Sequence, residues 1–237
     1  MKKKYNRILL KLSGEALLGK KEYGVDYNVL HQICEEIKEL VEIGVEIAVV
    51  IGAGNIWRGS QNAESGIPRV ASDYIGMLGT VMNSVALQAN LEKIGVYTRV
   101  CSALGMASVA EPYIKRRAVR HLEKGRVVIC AAGTGNPYFT TDSAAGLRSL
   151  ELECDVLLKA TNVDGVYDAD PRIDVKAKKY KEVSFDEVLE KDLKVMDGTA
   201  IAQCRDNNMP IIVFELMKKG NLKKVVFGER IGTKIHL

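Results

Sequence analysis

Four segments of the chain hold the residue types that bind phosphate. They are Lys11-Leu12-Ser13-Gly14, the stretch from Gly52-Ala53-Gly54 to Arg58-Gly59, the block 133–142 (Gly-Thr-Gly-Asn-Pro-Tyr-Phe-Thr-Thr-Asp), and residues 161–171 from Thr161-Asn162 to Pro171. Glycine lets the backbone come close to a ligand, and N–H groups at helix starts favour phosphate oxygens. Lys11, Arg58 and Lys159 add cations at the same places. Gathered in one crevice, these segments would hold more than one phosphate group.

Each piece alone has an ordinary reading. A glycine pair after a strand is often only a turn. Asp142 before Ser143 suits a helix N-cap, Lys159 suits a strand end with its stem buried, Arg58 suits the surface, and Tyr167 suits packing. The functional reading comes from their joint occurrence. Two near-motifs fail. Residues 14–21 miss the P-loop at Lys21, which stands where a hydroxyl would hold Mg²⁺, and Gly52-Ala53-Gly54 leads to Trp57 where a dinucleotide fingerprint needs glycine. His31, His121 and His236 are too far apart for ligand spacing, and no G-x-S-x-G elbow occurs. Neither a covalent nucleophile nor a tightly held structural metal is expected.

The elements that must position these segments alternate between short apolar runs and longer amphipathic stretches. Residues 7–12, 46–51, 97–101, 126–132 and 156–160 read as strands. Residues 28–43, 70–94, 112–124 and 143–151 read as helices, the first and second closed by Gly44 and Gly95. Pro112 suits a first helical turn. The last third is less regular, with helices near 185–190 and 199–206 and strands at 211–214 and near the end. Repeated strand–helix order implies an α/β fold, a mostly parallel sheet covered by helices on both faces. Ligands then belong beyond the carboxyl ends of the strands, where all four polar segments begin. Neither repeat nor linker divides the chain, so residues 1–237 are expected to form one domain with two lobes. The long 70–94 helix, with Met77, Leu78, Val81, Met82 and Val85, is expected to face the core.

Composition narrows the class. The 34 basic and 30 acidic residues leave a net charge of +4, too small to argue for nucleic acid. Five cysteines lack C-x-x-C spacing and fit a reducing compartment as small hydrophobes. The apolar run Ile8-Leu9-Leu10 is too short for a signal peptide, and no window is apolar enough to span a bilayer. A cytoplasmic protein without membrane partners is expected.

The chain resembles the bacterial UMP kinases of the amino acid kinase superfamily over nearly its whole length. The resemblance lies in residues 10–15, in Asn55-Ile-Trp-Arg58, in Asp73-Tyr-Ile-Gly-Met with Thr80-Val-Met-Asn83, in block 133–142, in residues 159–167 and in Val195-Met-Asp197. Block 133–142 is the most specific. One departure is Ala53, where the family usually has glycine; alanine suits that backbone only at negative φ.

That resemblance implies a three-layer αβα sandwich, its N-terminal part mainly binding UMP and its C-terminal part mainly binding ATP. It implies that Lys11, Leu12, Ser13, Gly14, Gly54 and Arg58 meet the ATP phosphates, and that Thr161, Asn162, Tyr167 and Asp170 hold the adenosine end. Gly52, Ala53, Asp73 and the run Thr134, Gly135, Asn136, Pro137, Tyr138, Phe139, Thr140, Thr141 would hold UMP. Lys11, Arg58, Asp142, Lys159 and Asp197 would form the catalytic set, with Asp142 orienting both lysines and Asp197 supporting them. Mg²⁺ would arrive with ATP. A homohexamer activated by GTP and inhibited by UTP is also implied. The rivals are a related kinase acting on a carboxylate or carbamate, and a non-catalytic nucleotide-binding regulator. Block 133–142 with Asp73 speaks against the first, and the retained charged residues against the second.

Overall fold

A computed structural model of the chain describes residues 3–57, 66–171 and 173–237. Its strands are β1 (Arg7–Leu12), β2 (Glu46–Ile51), β3 (Thr98–Ser102), β4 (Glu111–Pro112), β5 (Val127–Ala131), β6 (Val156–Thr161), β7 (Glu182–Ser184), β8 (Ile211–Glu215) and β9 (Thr233–His236). They form one nine-stranded sheet in the order β4-β3-β5-β2-β1-β6-β8-β9-β7. Among the described residues, every pairing between these strands is parallel except β8 with β9. The helices are α1 (Tyr27–Glu42), α2 (Arg69–Lys93), α3 (Lys115–Glu123), α4 (Thr141–Glu151), α5 (Phe185–Glu190), α6 (Gly198–Asp206) and α7 (Asn221–Val226), with a 3-10 turn at Gly14–Leu17.

The layers follow from side-chain alternation. In β1, Ile8, Leu10 and Leu12 enter a core shared with Leu30, Ile33 and Ile37 of α1, with Met77 and Leu87 of α2, and with Leu222 of α7. Leu9 points to the opposite core, which holds Ala118 of α3, Ala144 of α4, Phe185 of α5 and Ile201 of α6. Two cores, one on each face of a sheet buried on both sides, make three layers. Helix α1 starts where Asp26 accepts hydrogen bonds from the N–H groups of Asn28 and Val29, and it stops before Gly44 at φ 76°.

Several sequence expectations shift. Pro112 lies in β4, an edge strand of two residues paired with Ser102, and α3 begins only at Lys115. An edge tolerates proline because no ladder N–H is needed there. Helix α4 begins two residues early because Thr140, not Asp142, is its N-cap. Strand β7 and helix α7 were not legible. The apolar residues of α2 divide: Met77 and Val81 are buried, whereas Leu78, Met82 and Val85 are 49%, 60% and 37% exposed. All five cysteines are buried and unpaired. No helix among the described residues is long and apolar enough to cross a membrane.

Candidate active site

Strand β1 is where the chain's order across the sheet reverses, with β2 on one side and β6 on the other. Such a switch point opens a crevice beyond the strand ends. Lys11 and Lys159 flank it as register partners on β1 and β6. Lys11 shares parity with Leu9, and Lys159 with Leu157, so both ammonium groups rise on the α4 face.

There they meet one carboxylate. Lys11 Nζ forms an ion pair with Asp142 Oδ1 at 2.5 Å, and Lys159 Nζ donates to Asp142 Oδ2 at 2.8 Å. Lys159 also donates to the Val195 carbonyl. Burial pushes the Asp142 carboxyl up, but the two ammonium groups overcome it and hold its pKa below the ordinary range. Burial, with Lys11 alongside, holds the Lys159 pKa below that of a free lysine, although Asp142 opposes the shift. Two cations thus share one carboxylate in a poorly solvated place, with the charge of Asp197 adding a further attraction on Lys159.

The start of α4 is fixed from α6. Asp197, the N-cap of α6, accepts from Ala200 N at 2.9 Å, from Ser143 Oγ at 2.9 Å, and from Thr140 Oγ1. Thr140 in turn accepts from the N–H groups of Asp142 and Ser143. Asp197 thus holds both sides of Asp142 without touching either lysine.

On one side of the lysines, Ser13 caps the 3-10 turn and Gly14 packs against the 52–54 turn. A Cβ on Gly14 would lie 2.6 Å from Gly54 N and 2.7 Å from Gly52 O, so only glycine fits. Ala53 is not among the residues with positive φ, which removes the objection to alanine there. Its methyl fills space that Gly79 of α2 leaves open: a Cβ on Gly79 would lie 2.9 Å from it.

Beside that turn is a cavity of about 290 Å³, lined among others by Ala53, Trp57, Asp73, Thr134, Phe139 and Thr141. Its rim is shaped by left-handed residues, with φ 61° at Ala132, 58° at Gly133, 81° at Gly135 and 72° at Tyr138. Non-glycine residues hold that conformation only when neighbours compel it. Here Thr80 Oγ1 accepts from Ala132 N at 2.8 Å, and Asp73 Oδ2 accepts from Tyr138 N at 2.8 Å. Asp73 is also gripped by Arg69 Nε at 2.8 Å and 2.9 Å, and Arg69 stacks 5.3 Å over the Tyr138 ring. Pro137, Gly135 and Tyr138 belong to the same turn, outside the cavity wall.

On the other side of Lys159 lies a second cavity of about 340 Å³, reached by Lys159, Thr161, Tyr167 and Asp170. Thr161 Oγ1 donates to Val163 O at 2.6 Å, and Tyr167 Oη donates to Asp164 at 2.6 Å. Asn162 is exposed beside it. A larger cavity of about 880 Å³, between Lys4, Lys181, Arg230 and Lys234, is lined by none of the expected site residues that are described. Arg58 lies outside the described residues.

Sequence reading missed the residues that act through others: Thr80, Ser143, the Val195 carbonyl, and the amides of Asn55 and Asn83. Asn55, Thr80, Asn83 and Val195 lie inside the segments that carry the family resemblance, but only their contacts across the fold, like that of Ser143 with Asp197, define what they do.

No group of three or more His, Cys, Asp or Glu side chains is gathered among the described residues. Both oxygens of Asp142 face ammonium groups, and both oxygens of Asp73 face N–H donors. Such a crevice suits a metal ion carried by phosphate oxygens rather than one caged by carboxylates.

The model of the amino acid kinase family matches residues 6–215. The chain belongs to the amino acid kinase family. The solved structure of a UMP kinase from Bacillus anthracis is 39% identical, with 98% of this chain and 96% of that one covered, at a TM-score of 0.95. A UMP kinase from Ureaplasma parvum is 36% identical over 100% of both chains, at 0.91. A uridylate kinase from Archaeoglobus fulgidus is 27% identical over 96% of this amino acid kinase and 99% of its own chain, at 0.75.

Proposed function

We propose that this amino acid kinase is a UMP kinase, transferring the γ-phosphoryl group of ATP to the phosphate of UMP and releasing ADP and UDP. The observation that carries the reading is the Lys11–Asp142–Lys159 bridge between two cavities, one of them framed by the 133–142 turn and Asp73. Likeness to two UMP kinases across nearly the full chain supports it.

The chemistry asks for positioning and charge stabilisation. The acceptor is already an anion near neutral pH, so no general base is needed. The obstacle is repulsion between two polyanions. Lys11 and Lys159 offset it and stabilise charge moving toward the β–γ bridging oxygen. Asp142 holds the ammonium groups at fixed points without reacting, and Asp197 holds Asp142. Arg58 adds a cation toward both sets of phosphates. Mg²⁺ would come with ATP, bound by its phosphates rather than by a carboxylate cage of the chain, and would supply further neutralisation of phosphate charge. Thr161, Asn162, Tyr167 and Asp170 take the adenosine end, with Ser13, Gly14 and Gly54 at the phosphates. Gly52, Ala53, Asp73 and residues 134–141 enclose UMP.

The same reading carries a cytoplasmic homohexamer activated by GTP and inhibited by UTP; sedimentation and effector titrations test these properties. The deciding experiment is an acceptor panel with Mg²⁺-ATP. UMP is expected to be turned over in preference to CMP, dUMP and acetylglutamate. Phosphorylation of acetylglutamate instead would give the site to a carboxylate acceptor.

A further inference from the structure

We infer that Asn55 and Asn83 are positioning residues for phosphoryl transfer, their side-chain amides forming a buried reciprocal pair that sets the spacing between the 13–14 turn and the 52–54 turn. The inference rests on the UMP kinase reading, which assigns the ATP phosphates to the first turn together with Gly54, and UMP to Gly52 and Ala53 of the second.

Both amides are hidden from solvent, Asn83 at 0% and Asn55 at 2% exposure. Asn83 Nδ2 donates to Asn55 Oδ1 at 2.7 Å, and Asn55 Nδ2 donates back to Asn83 Oδ1 at 3.0 Å. The remaining N–H of each amide goes to backbone: Asn83 to Gly52 O at 2.8 Å, and Asn55 to Gly24 O at 2.8 Å. All four amide hydrogens are therefore used. Rotating either amide by half a turn would aim an oxygen at a carbonyl oxygen, so the partners fix the orientation.

The pair sits directly against the phosphate turns. A Cβ on Gly14 would lie 2.6 Å from Asn55 Oδ1, and one on Gly52 would lie 3.1 Å from Gly14 N. Gly24, the other backbone partner, also donates its N–H to Asn55 O at 2.9 Å. Asn83 brings α2 into the arrangement, and α2 also carries Thr80, on Ala132 N, and Asp73, on Tyr138 N. One helix thus holds the acceptor cavity from below and, through the amide pair, registers it against the donor turn. A buried amide costs free energy unless fully paired, so an apolar residue would serve packing alone more simply. What an apolar residue could not do is hold the Gly52 carbonyl at one place relative to Gly14.

Misplacement of reacting groups by about 1 Å costs on the order of a hundredfold in rate. The test compares N83A, N55A and the double variant with the unsubstituted enzyme. It measures folding by circular dichroism, kcat and KM for Mg²⁺-ATP and for UMP, and the separate binding of ADP and of UMP by calorimetry. Expected is a loss of kcat per folded molecule on the order of a hundredfold in each single variant. KM and the binding of each nucleotide alone should stay within about threefold. The double variant should be no worse than the worse single by more than about threefold, because the pair acts as a unit.

Unchanged kcat per folded molecule, with only the melting temperature lowered, would reduce the pair to scaffold and overturn the inference. A raised KM at unchanged kcat would overturn it as well. If N83A does not fold, N55A reads the same split, since it leaves the bond from Asn83 to Gly52 in place; failure of both to fold would also decide for scaffold. Absence of UMP turnover in the unsubstituted enzyme would overturn the UMP kinase reading itself, whereas normal turnover in enzyme and variants alike would overturn only the positioning role.

Discussion

Lys11 and Lys159 are register partners on neighbouring parallel strands, and their ammonium groups end on the two oxygens of one carboxylate, Asp142. Like charges are thereby held close at the carboxyl ends of two central strands, where the shared anion offsets their repulsion.

Removing one cation should show its share of the barrier. Lys11→Ala is expected to lower kcat by about two to three orders of magnitude, the scale of losing one preorganised electrostatic donor, and Arg58→Ala by a similar factor. Steady-state kinetics on protein with a normal circular dichroism spectrum checks both; near-normal turnover in both would refute these roles.

The pH profile should report Lys159. Because burial holds its pKa below the ordinary 10.5, catalysis requiring its charge should fade as pH rises through that lowered value. Lys159→Arg should move the alkaline limb upward. Asp142→Asn removes the group that raises this pKa, so in that variant the limb should move to lower pH. Stability runs in two directions. Asp142, depressed below 3.8, contributes stability that is full above that value and lost as pH falls through its folded pKa. For Lys159 the penalty of burying charge is present below its folded pKa and relieved as pH rises through it. A kcat profile and denaturation midpoints across pH check these signs.

Gly79 and Ala53 should compensate for each other. Gly79→Ala places a methyl 2.9 Å from the Ala53 methyl, an overpacking that costs about 1–3 kcal/mol. The gain of about 1 kcal/mol in helix propensity offsets part of this. Ala53→Gly in the same chain should restore the space, so A53G/G79A should melt above G79A. Additive melting shifts would disprove the contact.

Gly14→Ala should be far more harmful than its size suggests. The new Cβ meets the backbone atoms Gly54 N and Gly52 O, which cannot rotate away. We expect the two turns to be forced apart and kcat to fall on the order of a hundredfold. Calorimetry with ADP would show whether the donor turn still closes around phosphate.

The period of apolar residues, the glycines that end helices and the polar runs after strands were sufficient to derive strand–helix alternation, a parallel sheet and the places where phosphates belong. These are local properties, since side-chain period and backbone permissiveness depend on neighbours in the chain. The tertiary structure decided what local pattern cannot carry. It set β6 rather than β2 as the partner that brings a second lysine beside Lys11, and it capped α4 with Thr140, leaving Asp142 for the lysines. It also turned Met82 outward while burying Asn83 one position later, although hydropathy alone would do the reverse. Each outcome depends on strand order and on the partners waiting in space, and a buried amide is stable only where carbonyls from distant turns already stand to receive it.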